Sequence, residues 1–149
     1  MSEDRIERET LIAASLDRVW SLVAQPGFWV FPDPADVAGT VAVEGETTVG
    51  KHPEYGTFPV RVEKVEPQSY LAYRWASAFP GEELREGNST LIEFTLAQEG
   101  DQIRLRVVES GFAALAGSEE LRGKAVQDNT GGWQQVIAEF KKRAEATYG

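Results

Sequence analysis

Two hydrophobic periods divide this chain. From Ile6 to Ile12 apolar and charged residues alternate roughly as in a strand, and the Ala13-Ala14-Ser15 stretch ends that pattern. Ser15 is a good N-cap because its hydroxyl can accept from a free first-turn N–H, and Asp17 puts an anion near the positive end of the helix dipole. Leu16, Val19, Trp20 and Val23 then fall at helical spacing, and Gln25-Pro26-Gly27 stops the run. Phe28-Trp29-Val30-Phe31 places three aromatics in four residues just before Pro32-Asp33-Pro34. Such a cluster is either a plug pinning a short second helix to a sheet or the rim of a binding pocket.

From Asp36 the period becomes two. Strands are expected at Val37 to Glu44, Gly56 to Val65, Tyr70 to Ser77, Thr90 to Ala97 and Gln102 to Ser110, with turn residues between them. The connections are short, which favours antiparallel neighbours. Alternation puts Phe58, Val60 and Val62, Leu71, Tyr73 and Trp75, Ile92, Phe94 and Leu96, and Ile103, Leu105 and Val107 on one face. Arg61, Glu63, Arg74, Glu93, Arg104 and Arg106 take the other, a mixed-charge face suited to water and cross-strand pairing. Glu109 shares the apolar side, where a carboxylate needs partners or a raised pKa. It either sits wet at the strand end, capping backbone, or orients a ligand.

After Gly111-Phe112 the strand period is lost. Helix-forming sequence begins near Ser118 and is interrupted at Asn129-Thr130-Gly131-Gly132, after which Trp133, Val136, Ile137, Phe140 and Ala144 form one apolar stripe. Two glycines there cost about 2 kcal/mol of helix propensity against alanine, which points to a bend or a close approach. The expected architecture is therefore α+β: a curved antiparallel sheet of six to seven strands, two short N-terminal helices, and a long C-terminal helix docked by its stripe on the inward face.

Composition narrows the function. The 149 residues suit one domain, residues 1–149. With 24 acidic against 15 basic residues the net charge is −9, which repels phosphate backbones and anionic lipid, so neither nucleic acid nor a membrane is expected as a partner. Lys141-Lys142-Arg143 reads as a solvated helix face. Cysteine is absent, which removes disulfides and thiolate chemistry and fits a reducing cytoplasm. The N-terminus has no apolar signal and the apolar runs are too short to span a bilayer, so a soluble, cytoplasmic protein is expected. His52 is the only histidine and reads as an exposed loop residue, so one chain cannot build a histidine-centred triad or a multi-histidine metal site. No phosphate loop or dinucleotide fingerprint is present, and no cofactor is expected.

The order of strand, Val19-Trp20 helix, aromatic segment and antiparallel strands, with Glu109-Ser110-Gly111-Phe112 and Asn129-Thr130-Gly131-Gly132-Trp133 near the end, resembles the Activator of Hsp90 ATPase homologue 1-like family of the START-like helix-grip superfamily. These motifs are structural signatures, not catalytic ones. The resemblance implies a cavity between sheet and long helix that in many members holds a lipid, polyketide or other hydrophobic ligand. In this chain its lining would be Phe58, Tyr73, Trp75, Phe94, Leu105, Glu109, Phe112, Trp133 and Phe140, with Trp29 and Phe31 near the mouth. The same aromatics could instead fill the interior at ordinary packing density. Binding is favoured over chaperone contact, which the family name suggests although the chain corresponds to one module of the eukaryotic activators. Catalysis ranks third, as cyclase-like acid–base assistance by Glu109 with Tyr73. Oligomeric state is open.

Overall fold

Each period becomes the element it suits. The computed structural model describes residues 5–30, 40–54, 56–76, 79, 82–84 and 87–146. Along the chain come β1 (Arg5–Ile12), α1 (Leu16–Val23), β2 (Thr47–His52), β3 (Gly56–Glu66), β4 (Tyr70–Trp75), β5 (Thr90–Glu99), β6 (Gln102–Ser110), a single 3₁₀ turn (Phe112–Ala114) and α2 (Glu119–Glu145). The strands form one curved antiparallel sheet in the order β1-β6-β5-β4-β3-β2, so the first strand closes against the last. A register shift between Val62 and Lys64 puts a bulge in β3, the irregularity that bends and twists a strand.

The second strand is not where alternation put it. In the described part of Val37 to Glu44, Val41 and Val43 are exposed, and the backbone turns through Gly45 at φ +86°, with Glu46 N–H donating to Val43 O. The ladder to β3 begins only past that turn, with Thr47 opposite Arg61. Apolar alternation there marks an extended segment that has not joined the sheet; residues 37–39 lie outside the described residues. Gly50 on β2 has a packing reason: a Cβ would sit 2.9 Å from Val30 Cβ.

The long helix also departs from expectation, because α2 runs unbroken through Gly131 and Gly132. Both glycines are exposed, and a Cβ on either would meet nothing within 4 Å, so no close approach explains them. The buried stripe Ala125, Trp133, Ile137, Phe140 and Ala144 holds the helix through them. Ser15 and Ser118 cap the two helices by accepting from Arg18 N–H and Leu121 N–H. Among the described residues one regular N-terminal helix, α1, lies between β1 and β2, where two short ones were expected.

Along β1 the helix end is fastened by polar groups. Ala13 N–H donates to Glu145 Oε2 at 2.7 Å, Arg18 Nη2 to Arg143 O at 2.9 Å, and Lys141 Nζ to Leu11 O. Arg143 in turn donates to Gln25 Oε1 at 3.1 Å. Of the basic run, only Lys142 is the solvated side chain expected; Lys141 and Arg143 are spent on this junction. His52 is the last residue of β2 and half-buried, not a free loop residue, and its Nδ1 accepts from Glu54 N–H. The outer face of the sheet carries the expected ion pairs, among them Arg104 with Glu9 at 2.8 Å and Arg106 with Glu7. Exposed pairs of this kind contribute about 0–1 kcal/mol each.

Candidate functional site

Alternation on three neighbouring strands and helical spacing on α2 converge on one carboxylate. Glu109 lies opposite Ile6 on β1 and Ile92 on β5, so it stands inside the sheet and not at its margin. Thr90 is two residues before Ile92 and directly opposite Trp75, which brings both to the same side. From above, Asn129 and Trp133 project one turn apart on α2.

The carboxylate collects all four. Trp133 Nε1 donates to Oε1 at 2.7 Å, Trp75 Nε1 to Oε2 at 2.8 Å, Asn129 Nδ2 to both oxygens at 3.1 and 3.2 Å, and Thr90 Oγ1 to Oε2. Glu109 is wholly buried, and burial raises its pKa above the ordinary carboxylate value while the hydrogen bonds from Thr90, Trp133, Trp75 and Asn129 oppose that rise. Both indoles can only donate, so they suit a carboxylate; Thr90 can also accept, and so tolerates the protonated acid. This is not the wet strand end weighed as one alternative from the sequence. Donors fill the carboxylate's lone-pair directions, and among the described residues there is no group of three or more His, Cys, Asp or Glu that could hold a metal ion.

Beside this network lies an aromatic cluster centred on Trp29. Its ring centroid is 5.1 Å from Tyr73, 5.2 Å from Phe28, 5.6 Å from Trp75, 5.8 Å from Trp133 and 6.1 Å from Phe94. Phe28 extends the cluster to Phe140 at 5.4 Å, and Trp75 extends it to Phe58 at 5.6 Å. Trp29 Nε1 is buried and has no hydrogen-bond partner among the described residues. That is a costly position for an indole N–H, about 1–3 kcal/mol for an unsatisfied buried donor.

Most of the anticipated lining therefore meets in one place: Trp29, Phe58, Tyr73, Trp75, Phe94, Glu109, Trp133 and Phe140. Leu105 is buried in the sheet's core and Phe112 in the 3₁₀ turn, both in the same apolar cluster. Phe31 lies outside the described residues. Tyr73 does not reach toward Glu109 with its hydroxyl, which donates to Val23 O at 2.7 Å and ties the end of α1 to β4; burial raises its pKa well above the phenolic value. Phe28, Thr90 and Asn129 were absent from the anticipated set. Thr90 follows from the same alternation as Ile92 and Phe94, and Asn129 from its four-residue spacing to Trp133.

Comparison with known proteins settles the family, since the model for Activator of Hsp90 ATPase homolog 1-like proteins matches residues 13–145. The chain belongs to that family. The Activator of Hsp90 ATPase homolog 1-like fold recurs in solved structures. DynU16, from the dynemicin biosynthetic locus, superposes with a TM-score of 0.71 at 20% identity over 97% of this chain, which spans about half, 48%, of that one. The Aha1 dimer from Colwellia psychrerythraea gives 0.69 at 17% identity, covering 97% of this chain and 98% of its own. MLL2253 from Mesorhizobium loti gives 0.67 at 18% identity, with 94% and 95% covered. No protein of curated function matches. Members with this fold commonly bind small ligands or act in Hsp90 regulation, and the aromatic cluster and Glu109 network of this member lie between its sheet and its long helix.

Proposed function

We propose that this protein, acting as one helix-grip domain, binds a small, largely apolar ligand bearing a hydrogen-bond acceptor, at the aromatic cluster around Trp29 between the sheet and α2. The observation that carries this reading is the buried Trp29 Nε1, without an acceptor among the described residues and set among aromatic rings. Ligand sites of this class are mainly apolar and aromatic with a few placed polar groups. A ligand carbonyl or ether oxygen would supply the missing partner. The rings stand at contact distance, so the ligand enters by shifting a ring. Phe28 and Trp29 are the members carried by neither sheet nor α2, and of the two Trp29 is the less buried. Glu109 contributes indirectly, by holding Trp75 and Trp133 in place as two walls of the site.

Tryptophan fluorescence during titration with acetylnaphthalene, against ethylnaphthalene as the control lacking an acceptor, tests the reading. Saturable quenching by the ketone, reduced by about tenfold or more in affinity for the hydrocarbon and in Trp29→Phe, is expected. Equal response to both compounds, or none to either, would contradict it.

A second reading, contact with an Hsp90-type chaperone, is supported by membership of the family. A change in chaperone ATP hydrolysis on adding the purified protein is its expected signature, and an unchanged rate counts against it.

A further inference from the structure

β1 is an edge strand, and alternation gives its inward side Ile6, Arg8, Thr10 and Ile12. Three of these are unremarkable for a strand facing a helix. Arg8 is not, because a guanidinium on the inward side should have an anionic partner. Among the described residues its guanidinium donates from Nη1 to Glu7 O at 2.8 Å, and no carboxylate forms an ion pair with it. The adjacent carboxylate, Glu7, points outward and is already held by Arg5 at 2.9 Å and by Arg106.

Arg8 borders a groove of about 420 Å³ between the first half of β1 and the middle of α2, lined also by Arg5, Ile6, Glu7, Val126 and Thr130. That volume falls within the span of small-ligand clefts, about 300–1,000 Å³. Its lining is mixed: Val126, partly buried against the core, is the apolar side chain that borders it beside the buried Ile6. Thr130 Oγ1 donates to Val126 O at 2.6 Å and so turns lone pairs, not a proton, to the groove. Of the charged residues that line the groove, Arg5 is paired with Glu7, which leaves Arg8 as the cation without an ion pair among the described residues.

We infer that this groove is a second site, for a small amphipathic carboxylate whose head group pairs with Arg8 and whose short alkyl tail lies along Ile6 and Val126. Arg8 presents a planar fork that matches a carboxylate, and the Val126 side chain across the groove gives an alkyl tail a partner, a pairing that suits a molecule with one charged end. The site is separate from the cluster around Trp29: none of its lining residues belongs to the aromatic group or donates to Glu109. A plain alternative for Arg8 is that it guards an edge strand against pairing with another chain, a role that needs no ligand.

Decanoate and decanol, titrated into isotope-labelled protein and followed by amide shifts, separate these. The site reading expects saturable decanoate shifts concentrated at Ile6, Arg8, Val126 and Thr130. It also expects an affinity at least about tenfold weaker for decanol and for Arg8→Gln with decanoate, and further weakening with added salt. If Arg8→Gln does not fold, the decanoate-to-decanol comparison on the native protein carries the same test. Non-saturating shifts, equal binding of acid and alcohol, or unchanged affinity in Arg8→Gln would overturn the inference, as would shifts centred on the Trp29 indole, which would instead support the aromatic site.

Discussion

Trp133 on α2 and Glu109 on β6 meet at 2.7 Å through the indole N–H and a carboxylate oxygen, deep between helix and sheet. This contact joins the two layers by a directional bond where apolar packing alone would allow the helix to slide. It also makes the layers interdependent, because the other oxygen is shared by Trp75 on β4 and Thr90 on β5.

Replacing the carboxylate by an amide breaks that arrangement. In Glu109→Gln one acceptor oxygen becomes an NH₂ group facing an indole that can only donate. Urea denaturation is expected to show a loss of about 1–3 kcal/mol, with Trp133→Phe falling in the same range. Unchanged midpoints in both variants would mean that the network carries no stability.

The pH dependence has a definite sign. Burial raises the pKa of Glu109 in the folded state above its unfolded value. Its contribution to stability is therefore fully present below the unfolded pKa, about 4.3, and is lost as pH rises through the folded pKa. The stability difference between the native protein and Glu109→Gln should accordingly shrink as pH is raised from the unfolded value, by at most about 1.4 kcal/mol per pH unit. Glu99 and Glu145, whose pKa values are lowered by Arg104 and by Ala13 N–H respectively, titrate with the opposite sign but are common to both proteins and cancel. Paired denaturation curves across the acidic to neutral range check this, and a difference that widens with pH would reverse the assignment.

Two kinds of glycine should respond oppositely to alanine. Gly131→Ala and Gly132→Ala place a methyl in open space on a helix and should each stabilise by up to about 1 kcal/mol. Gly50→Ala drives a methyl to 2.9 Å from the Val30 side chain and should destabilise by about 1–3 kcal/mol. Thermal melts of the three variants would show the contrast, and Val30→Ala should relieve part of the Gly50→Ala loss if contact is its cause.

Tyr73→Phe tests the tie between α1 and the sheet. Removing the hydroxyl leaves Val23 O without its side-chain donor, and an expected cost of about 1–3 kcal/mol should appear in the denaturation midpoint. A ligand titration on the same variant should be little changed, since the hydroxyl is committed to the backbone.

How much of this was legible beforehand depends on which force fixed each feature. Strands β3 to β6 and the Trp133–Ala144 stripe follow directly from period, because burial on one face dictates it. The second strand was misplaced because Val41 and Val43 mimic a half-buried strand while staying exposed; the turn at Gly45 is set by bonds to β3 and Ala24 that no local pattern announces. Gly131 and Gly132 suggested a break because propensity is local, whereas the stripe's burial is tertiary. At the candidate site, alternation turned Glu109 inward and required partners for it. The identity of those partners depended on the register of β4 with β5 and on the rotation of α2. The resemblance put Trp29 near a pocket mouth; its ring stands at the cluster's centre, against rings carried by β4, β5 and α2, tertiary contacts that no local pattern announces.

The most direct test of the ligand reading uses the indole N–H resonances of the four tryptophans, Trp20, Trp29, Trp75 and Trp133. On titration with acetylnaphthalene, the Trp29 indole proton should move downfield and become slower to exchange as it gains an acceptor, while Trp75 and Trp133, already bonded to Glu109, keep their hydrogen-bonded shifts. A Trp29 indole that stays where it was through saturation, or a titration in which none of the four responds, would contradict a site built around Trp29.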